Sequence, residues 1–574
     1  MVENSSVKWY QKFDVYIVAI VLLSIYIPLI GTQLYFRHDD SQTLLWAKEF
    51  TGNVFSAFNP RPWLNEYFKY PGIGGYYRPF EAVFMMSILK IFGPNAFYFH
   101  FINGLLVIGT ILFMYKTAEL FSNRTAAFLS VLIFHLCFHT MLYGTFHVVV
   151  PFGYFFELGC FYFTARGLVR NDKKSLLLAM FFLIPATNRQ TTAVILPIMV
   201  IVYLLSYWRQ TFPGSKIKFI LPIVAMIPNA IIPLSSHSST ATLVNIDIDL
   251  MGKFQFVYER IVFYGSLLTG GITGFVVLFC IFCFLMIRIL DFRGFIKKRL
   301  SKAHRWIFLI LFILCGLLTA VLMRFHELAI VLLLLSLLFI LMTHKHLRFA
   351  CTWFFISMGC FLAIIVYHSA YLLEAAYGLS IVLGILSFHV YEKIDFSFSL
   401  RPFFKRHTKR LCIAGIIVLV ALGVVILKTR YGALFSRKIE AAKVLVQTNK
   451  NFEDMIHYIK DELPVNSEIF VLSDEDLGIR FEDWRLWSLK DRAEKVKVMD
   501  IKDTTAMLKV LNRYDLRLHS IQKLNDAEEE LQRYFIVYNT FEKDIAERRY
   551  NLRLMGSFRR GNTEAAVYRY NSEK

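Results

Sequence analysis

Charge is scarce in this chain. Of its 574 residues, 18% are charged, against 56% hydrophobic and 16% aromatic. A soluble chain of this size carries roughly a quarter charged residues, so a soluble enzyme is excluded. Cysteine is missing from every polar segment. All eight (Cys137, Cys160, Cys280, Cys283, Cys315, Cys351, Cys360 and Cys412) fall within apolar stretches, which argues against a disulfide frame and makes them small buried hydrophobes. Cys280 and Cys283 have the spacing of a redox or metal pair, but uninterrupted apolar sequence surrounds them. No small-residue cleavage site follows the first apolar block, 14–31, so it reads as a retained span, not a removed signal peptide. There is no internal repeat and no low-complexity tract.

The apolar residues gather instead in blocks of roughly 17–25, the length that crosses a bilayer. About thirteen such spans are expected on that criterion, over 14–31, 96–116, 125–143, 147–167, 175–188, 191–207, 218–234, 261–288, 306–323, 327–343, 349–367, 370–390 and 411–427. The net charge of +20 is carried by the loops between them. Residues 1–427 hold 36 Lys and Arg against 18 Asp and Glu, whereas 428–574 hold 27 against 25. Basic residues cluster in alternate loops, as in Arg293–Arg299 and Arg401–Arg410, while the short loops on the other side carry only Arg189, Lys253, Arg260 and Arg324. This is the positive-inside pattern, not a nucleic-acid face. It predicts a cytoplasmic N-terminus and an extracytoplasmic tail.

Two regions then lie outside the bilayer on that side. In the first, residues 32–95, the apolar run Phe80–Phe92 is too short to span and suits an interfacial helix. The second is the tail. A helix is predicted over 434–462 and strands at Ile469–Leu472, Val496–Met499 and Tyr534–Val537. A hairpin is predicted from Leu552–Ser557 and Ala565–Tyr570. The fold class is therefore an all-α polytopic membrane domain, residues 1–430, followed by an extracytoplasmic α/β domain, residues 431–574.

Chemistry gathers on the outer side. The first loop opens with Asp39 and Asp40 at the mouth of a span. Either carboxylate can act as a general base toward a hydroxyl, or both are solvated loop acids. Tyr76, Tyr77 and Arg78 precede the interfacial run. Arg78 can hold a phosphate and Tyr77 can stack on a sugar; an aromatic belt with a snorkelling arginine explains them equally well. Arg189, the trio Arg324, His326 and Glu327, and His368 occupy three further outward turns. Together they can supply cations to a lipid phosphate, although each alone is an ordinary interfacial residue. Glu157 and Glu374 lie within spans, where a carboxylate is either functional or hydrogen-bonded to a neighbouring helix. His135 and His139 share a helix face at i, i+4 but lack a third metal ligand, so packing is the simpler explanation.

The order of these features resembles a known family. One span precedes a large outer loop opening with adjacent acids. The loop continues through GGYYRPF (Gly74–Phe80) to PNAFYFHFINGLL (Pro94–Leu106). This is similar to the GT-C glycosyltransferases that use polyprenyl-phosphate sugars, in particular the protein O-mannosyltransferases and the bacterial lipid A aminoarabinose transferases. NRQTTAVILP (Asn188–Pro197) and HSAYLLEAAYGLSIVLGI (His368–Ile385) extend the likeness, with Arg189-Gln190 in place of a typical Lys-Glu pair and His368 in place of a common arginine. The resemblance implies an integral membrane transferase with Asp39 as base, or Asp40. It implies donor contacts from Tyr77, Arg78, Arg189, Arg324, His326 and His368, in one inverting displacement. It also implies a polyprenyl-phosphate sugar donor, a glycan, lipid or protein acceptor, and a plasma-membrane location. No cofactor is expected, although adjacent acids also have the chemistry to hold a divalent ion. A transporter or lipid flippase is the rival class, predicting half-helices and polar groups near the midplane. A non-catalytic scaffold on the same fold is a third possibility.

Overall fold

The computed structural model describes residues 54–58, 79–93, 96–143, 150–170, 172–186, 250–292, 302–322, 324–344, 347–362, 372–393, parts of 450–462, and five strands between 468 and 570. The described residues fall into two compact units: one holds 54–58, 79–84 and 102–393, the other 85–101 and the described residues from 450 onward.

Eleven helices are described. They are α1 (Pro79–Phe92), α2 (Ala96–Phe121), α3 (Arg124–Tyr143), α4 (Val150–Arg170), α5 (Lys173–Ala186), α6 (Leu250–Thr269), α7 (Gly271–Phe292), α8 (Lys302–Leu322), α9 (His326–Thr343), α10 (Arg348–Leu362) and α11 (Leu372–Lys393). Most coincide with the expected spans because a long apolar run must satisfy its backbone internally. Short polar residues set the boundaries. The Asn123 carboxamide oxygen accepts from the Ala126 N–H at 2.9 Å, capping α3. Asp172 accepts from the Lys174 N–H at 3.0 Å and the Ser175 hydroxyl at 2.7 Å, capping α5. The Ser175 bond leads the effects that hold the Asp172 carboxyl below its ordinary range. Gly93, at φ +67°, ends α1 and donates its N–H to the Leu89 carbonyl at 2.9 Å; a left-handed residue there favours glycine.

By length and composition, Phe97–Phe121, His326–Thr343 and Leu372–Val390 are apolar enough to cross a membrane, with a fourth span if a bent pair is counted as one. That pair corrects the sequence reading. The expected single span 261–288 is two helices, α6 and α7, meeting at Gly270 and bent by 83°. A glycine with two more at 271 and 274 supports the break, and at Gly274 a Cβ would strike the Thr269 carbonyl. The expected spans 14–31, 191–207, 218–234 and 411–427 lie outside the described residues.

In the first unit α11 is central. It packs against α3, α7 and α10, while α4 pairs with α5 and α6 with α9. Most residues of α11 from Leu372 to Leu386 are fully buried. Glycines let the helices approach. At Gly384 a Cβ would meet the Ser130 nitrogen at 2.6 Å and the Ala126 carbonyl at 2.7 Å on α3. At Gly378 it would meet the Ala350 carbonyl at 3.0 Å on α10.

In the second unit the strands are β1 (Glu468–Ser473), β2 (Lys495–Asp500), β3 (Arg533–Tyr538), β4 (Leu552–Arg560) and β5 (Thr563–Tyr570). They form one sheet in the order β2-β1-β3-β5-β4. β1 runs parallel to β2 and β3, β5 is antiparallel to β3, and β4 and β5 form the expected hairpin. Described residues between 450 and 462 are helical, and Tyr458 donates its hydroxyl to the Met555 carbonyl at 3.2 Å.

Candidate functional site

Of the residues expected to catalyse transfer or hold the donor, Arg324 and His326 are described. Asp39, Asp40, Tyr77, Arg78, Arg189 and His368 lie outside the described residues. Arg324 and His326 flank the start of α9 and are exposed, with Phe325 at the N-cap position and no side-chain cap. Glu327, in the first turn of α9, accepts a hydrogen bond from the Tyr258 hydroxyl at 2.8 Å. That bond ties α6 to the start of α9. Further along both helices, a Cβ on Gly265 would meet Ile330 Cδ1 at 2.6 Å, so they continue in contact.

Two residues beyond Tyr258 stands Arg260, only 1% exposed, its guanidinium 4.5 Å from the centre of the Phe256 ring. The sequence reading placed Arg260 among outer-loop charges; it is instead a buried residue of α6. The available signal was periodicity: Phe256, Arg260 and Tyr264 recur every four residues, on one helix face. Arg324, His326 and the positive end of the α9 dipole lie together at the start of α9, with Glu327 held to Tyr258. Chemically this end can take a phosphate.

A second polar grouping lies between α4, α10 and α11. Glu157 on α4 and Glu374 on α11 are both fully buried. Tyr154 and Tyr377, each one turn from one of these carboxylates, bring their ring centres to 5.9 Å. Phe161 meets Trp353 at 4.8 Å. Glu81, on the first turn of α1, is a further buried carboxylate that sequence alone did not single out. It sits in a run otherwise nearly all apolar.

The histidine pair has a local explanation at one member: the His135 Nδ1–H donates to the Val131 carbonyl at 3.1 Å. Among the described residues no three His, Cys, Asp or Glu side chains are grouped to hold a metal. The described cysteines are free thiols, Cys280 and Cys283 included.

Residues 78–233 match the dolichyl-phosphate-mannose-protein mannosyltransferase family. The match opens at the arginine of YYRPF and runs through α1 to α5, so the resemblance to GT-C glycosyltransferases is borne out over that segment. No curated protein gives a significant match. Among solved structures, ArnT from Cupriavidus metallidurans bound to undecaprenyl phosphate superposes with a TM-score of 0.46 at 11% identity, covering 99% of both chains. The same protein in the apo state gives 0.45 at 10% identity, covering 96% of this chain and 97% of that one.

Proposed function

We propose that the chain is an integral membrane glycosyltransferase that moves a sugar from a polyprenyl-phosphate carrier to an acceptor hydroxyl on the extracytoplasmic side. The family match that begins at Arg78 carries this reading. The exposed cations Arg324 and His326 at the start of α9 support it.

The chemistry is one displacement at the anomeric carbon. Asp39, with Asp40 as the alternative, accepts the proton of the acceptor hydroxyl as its oxygen attacks. The C–O bond to the lipid phosphate breaks, and configuration inverts. Negative charge grows on the departing phosphate, and cations placed in advance lower that barrier. Arg260 joins Arg78, Arg189, Arg324, His326 and His368 as a candidate for this task, with Tyr77 stacking on the sugar. Charge is neutralised by side chains, so the reaction as written needs no metal. The positive-inside pattern puts the tail on the extracytoplasmic side.

The test is transfer of a radiolabelled polyprenyl-phosphate sugar in membranes carrying Asp39→Asn or Asp40→Asn. Loss of about three orders of magnitude in one variant, with unchanged protein level, is expected of a general base. Full activity in both would remove the first-loop carboxylates from the mechanism. The buried Glu157 and Glu374 and the break between α6 and α7 are the observations that favour a transporter. That reading predicts uptake of a water-soluble solute and no binding of a polyprenyl phosphate.

A further inference from the structure

Glu157 and Glu374 are not used by the displacement just described, yet three helices converge on them. On α4, Tyr154, Glu157 and Phe161 recur at i, i+3 and i+7, which places them on one face. Tyr154 touches Tyr377 of α11, and Phe161 touches Trp353 of α10. Glu157 stands between these two contacts, so its side of α4 looks toward the α10–α11 pair. On α11, Glu374 is one turn before Tyr377. On α10, Trp353, Ser357 and Cys360 again share a face, and Trp353 also meets Tyr377, at 6.4 Å. The two carboxylates therefore belong to one neighbourhood. Glu157 is about 10 Å along α4 from its first residue, at a rise of ~1.5 Å per residue.

That neighbourhood holds more hydrogen-bonding capacity than its described side chains use. Trp353 is 1% exposed and Ser357 0%. Neither the Trp353 Nε1–H nor the Ser357 hydroxyl has a hydrogen-bond partner among the described residues. Buried polar atoms are almost always satisfied, by protein, water or ligand. An indole N–H that must donate, a hydroxyl that can do either, and carboxylates that accept are complementary to a hydroxyl that both donates and accepts. Tyr154, Tyr377 and Trp353 add the flat apolar faces on which sugar C–H groups pack.

We infer that Glu157, Ser357, Trp353 and Glu374 form a subsite for a hydroxyl of the transferred sugar, and so help determine which sugar the chain accepts. This rests on the glycosyltransferase reading above and deepens it. On that reading the cations of the outer turns hold the carrier phosphate, and these four side chains select the sugar. A site that must pair a substrate hydroxyl discriminates against analogues that leave its polar groups unmatched.

Direct binding to the purified full chain in nanodiscs tests the inference. Two probes are used: a polyprenyl phosphate, and the same lipid carrying a neutral hexose or pentose. The wild type should hold the glycosylated lipid more tightly. Ser357→Ala and Glu374→Gln, both close in shape to the native residue, should each cut that preference about tenfold while leaving affinity for the bare lipid unchanged. Two results would overturn the subsite alone: an unchanged preference in both correctly folded variants, or an equal loss for both lipids. Wild-type protein that binds neither lipid would overturn the glycosyltransferase reading, and the subsite with it.

Discussion

At the scale of a single residue, burial separates Arg260 from Arg324. Both are permanent cations, but Arg324 is exposed before the start of α9 and Arg260 is enclosed midway along α6. An exposed charge is screened by water and salt, so its contact with a phosphate is weak. An enclosed guanidinium has lost that competition and binds an anion more strongly. Arg260→Gln is therefore expected to weaken polyprenyl-phosphate binding by about tenfold or more, and Arg324→Gln by at most about threefold. Isothermal titration with the bare lipid at two ionic strengths checks this, the smaller effect also being the more salt-sensitive. Arg324 and His326 were legible from sequence because they interrupt an apolar pattern with a visible turn. Arg260 was not, because a charge at the edge of a block looks the same whether the helix starts before it or after it.

Between helices, approach distance decides. α3 and α11 meet where Gly384 faces the Ser130 nitrogen and the Ala126 carbonyl. Backbone atoms cannot step aside as a flexible side chain can, so an added methyl must push the helices apart. Gly384→Ala should destabilise the solubilised protein by about 1–3 kcal/mol, the usual range for overpacking. Gly316→Ala should change it little, since the nearest atom to a Cβ there is Phe279 Cε2 at 3.7 Å. Thermal unfolding of the two variants in the same detergent compares them. Apolar length alone located nearly all of the described helices. It missed the corner between α6 and α7, because hydropathy is blind to direction and a bent pair has the same composition as a straight span.

For the whole molecule, the positive-inside pattern predicts that the strands of the tail lie on the extracytoplasmic side. Native cysteines sit in apolar stretches, so a thiol placed on the sheet is read against a low background. Ser557→Cys, on the exposed part of β4, should react with a membrane-impermeant maleimide in intact cells. Labelling only after lysis would put the tail inside and reverse the topology. By itself the sequence determined that this chain lives in a bilayer, where most of its described helices and the hairpin of its tail run, and which family residues 78–233 match. Those are local matters: hydropathy, period and motif are written in consecutive residues. Only the tertiary structure decided that Arg260 is enclosed, that α6 and α7 part at a corner, and that Tyr154, Phe161, Trp353 and Tyr377 bring α4, α10 and α11 together. Those depend on which faces of distant helices pack together, and the energy of that packing is shared among residues that no local window contains.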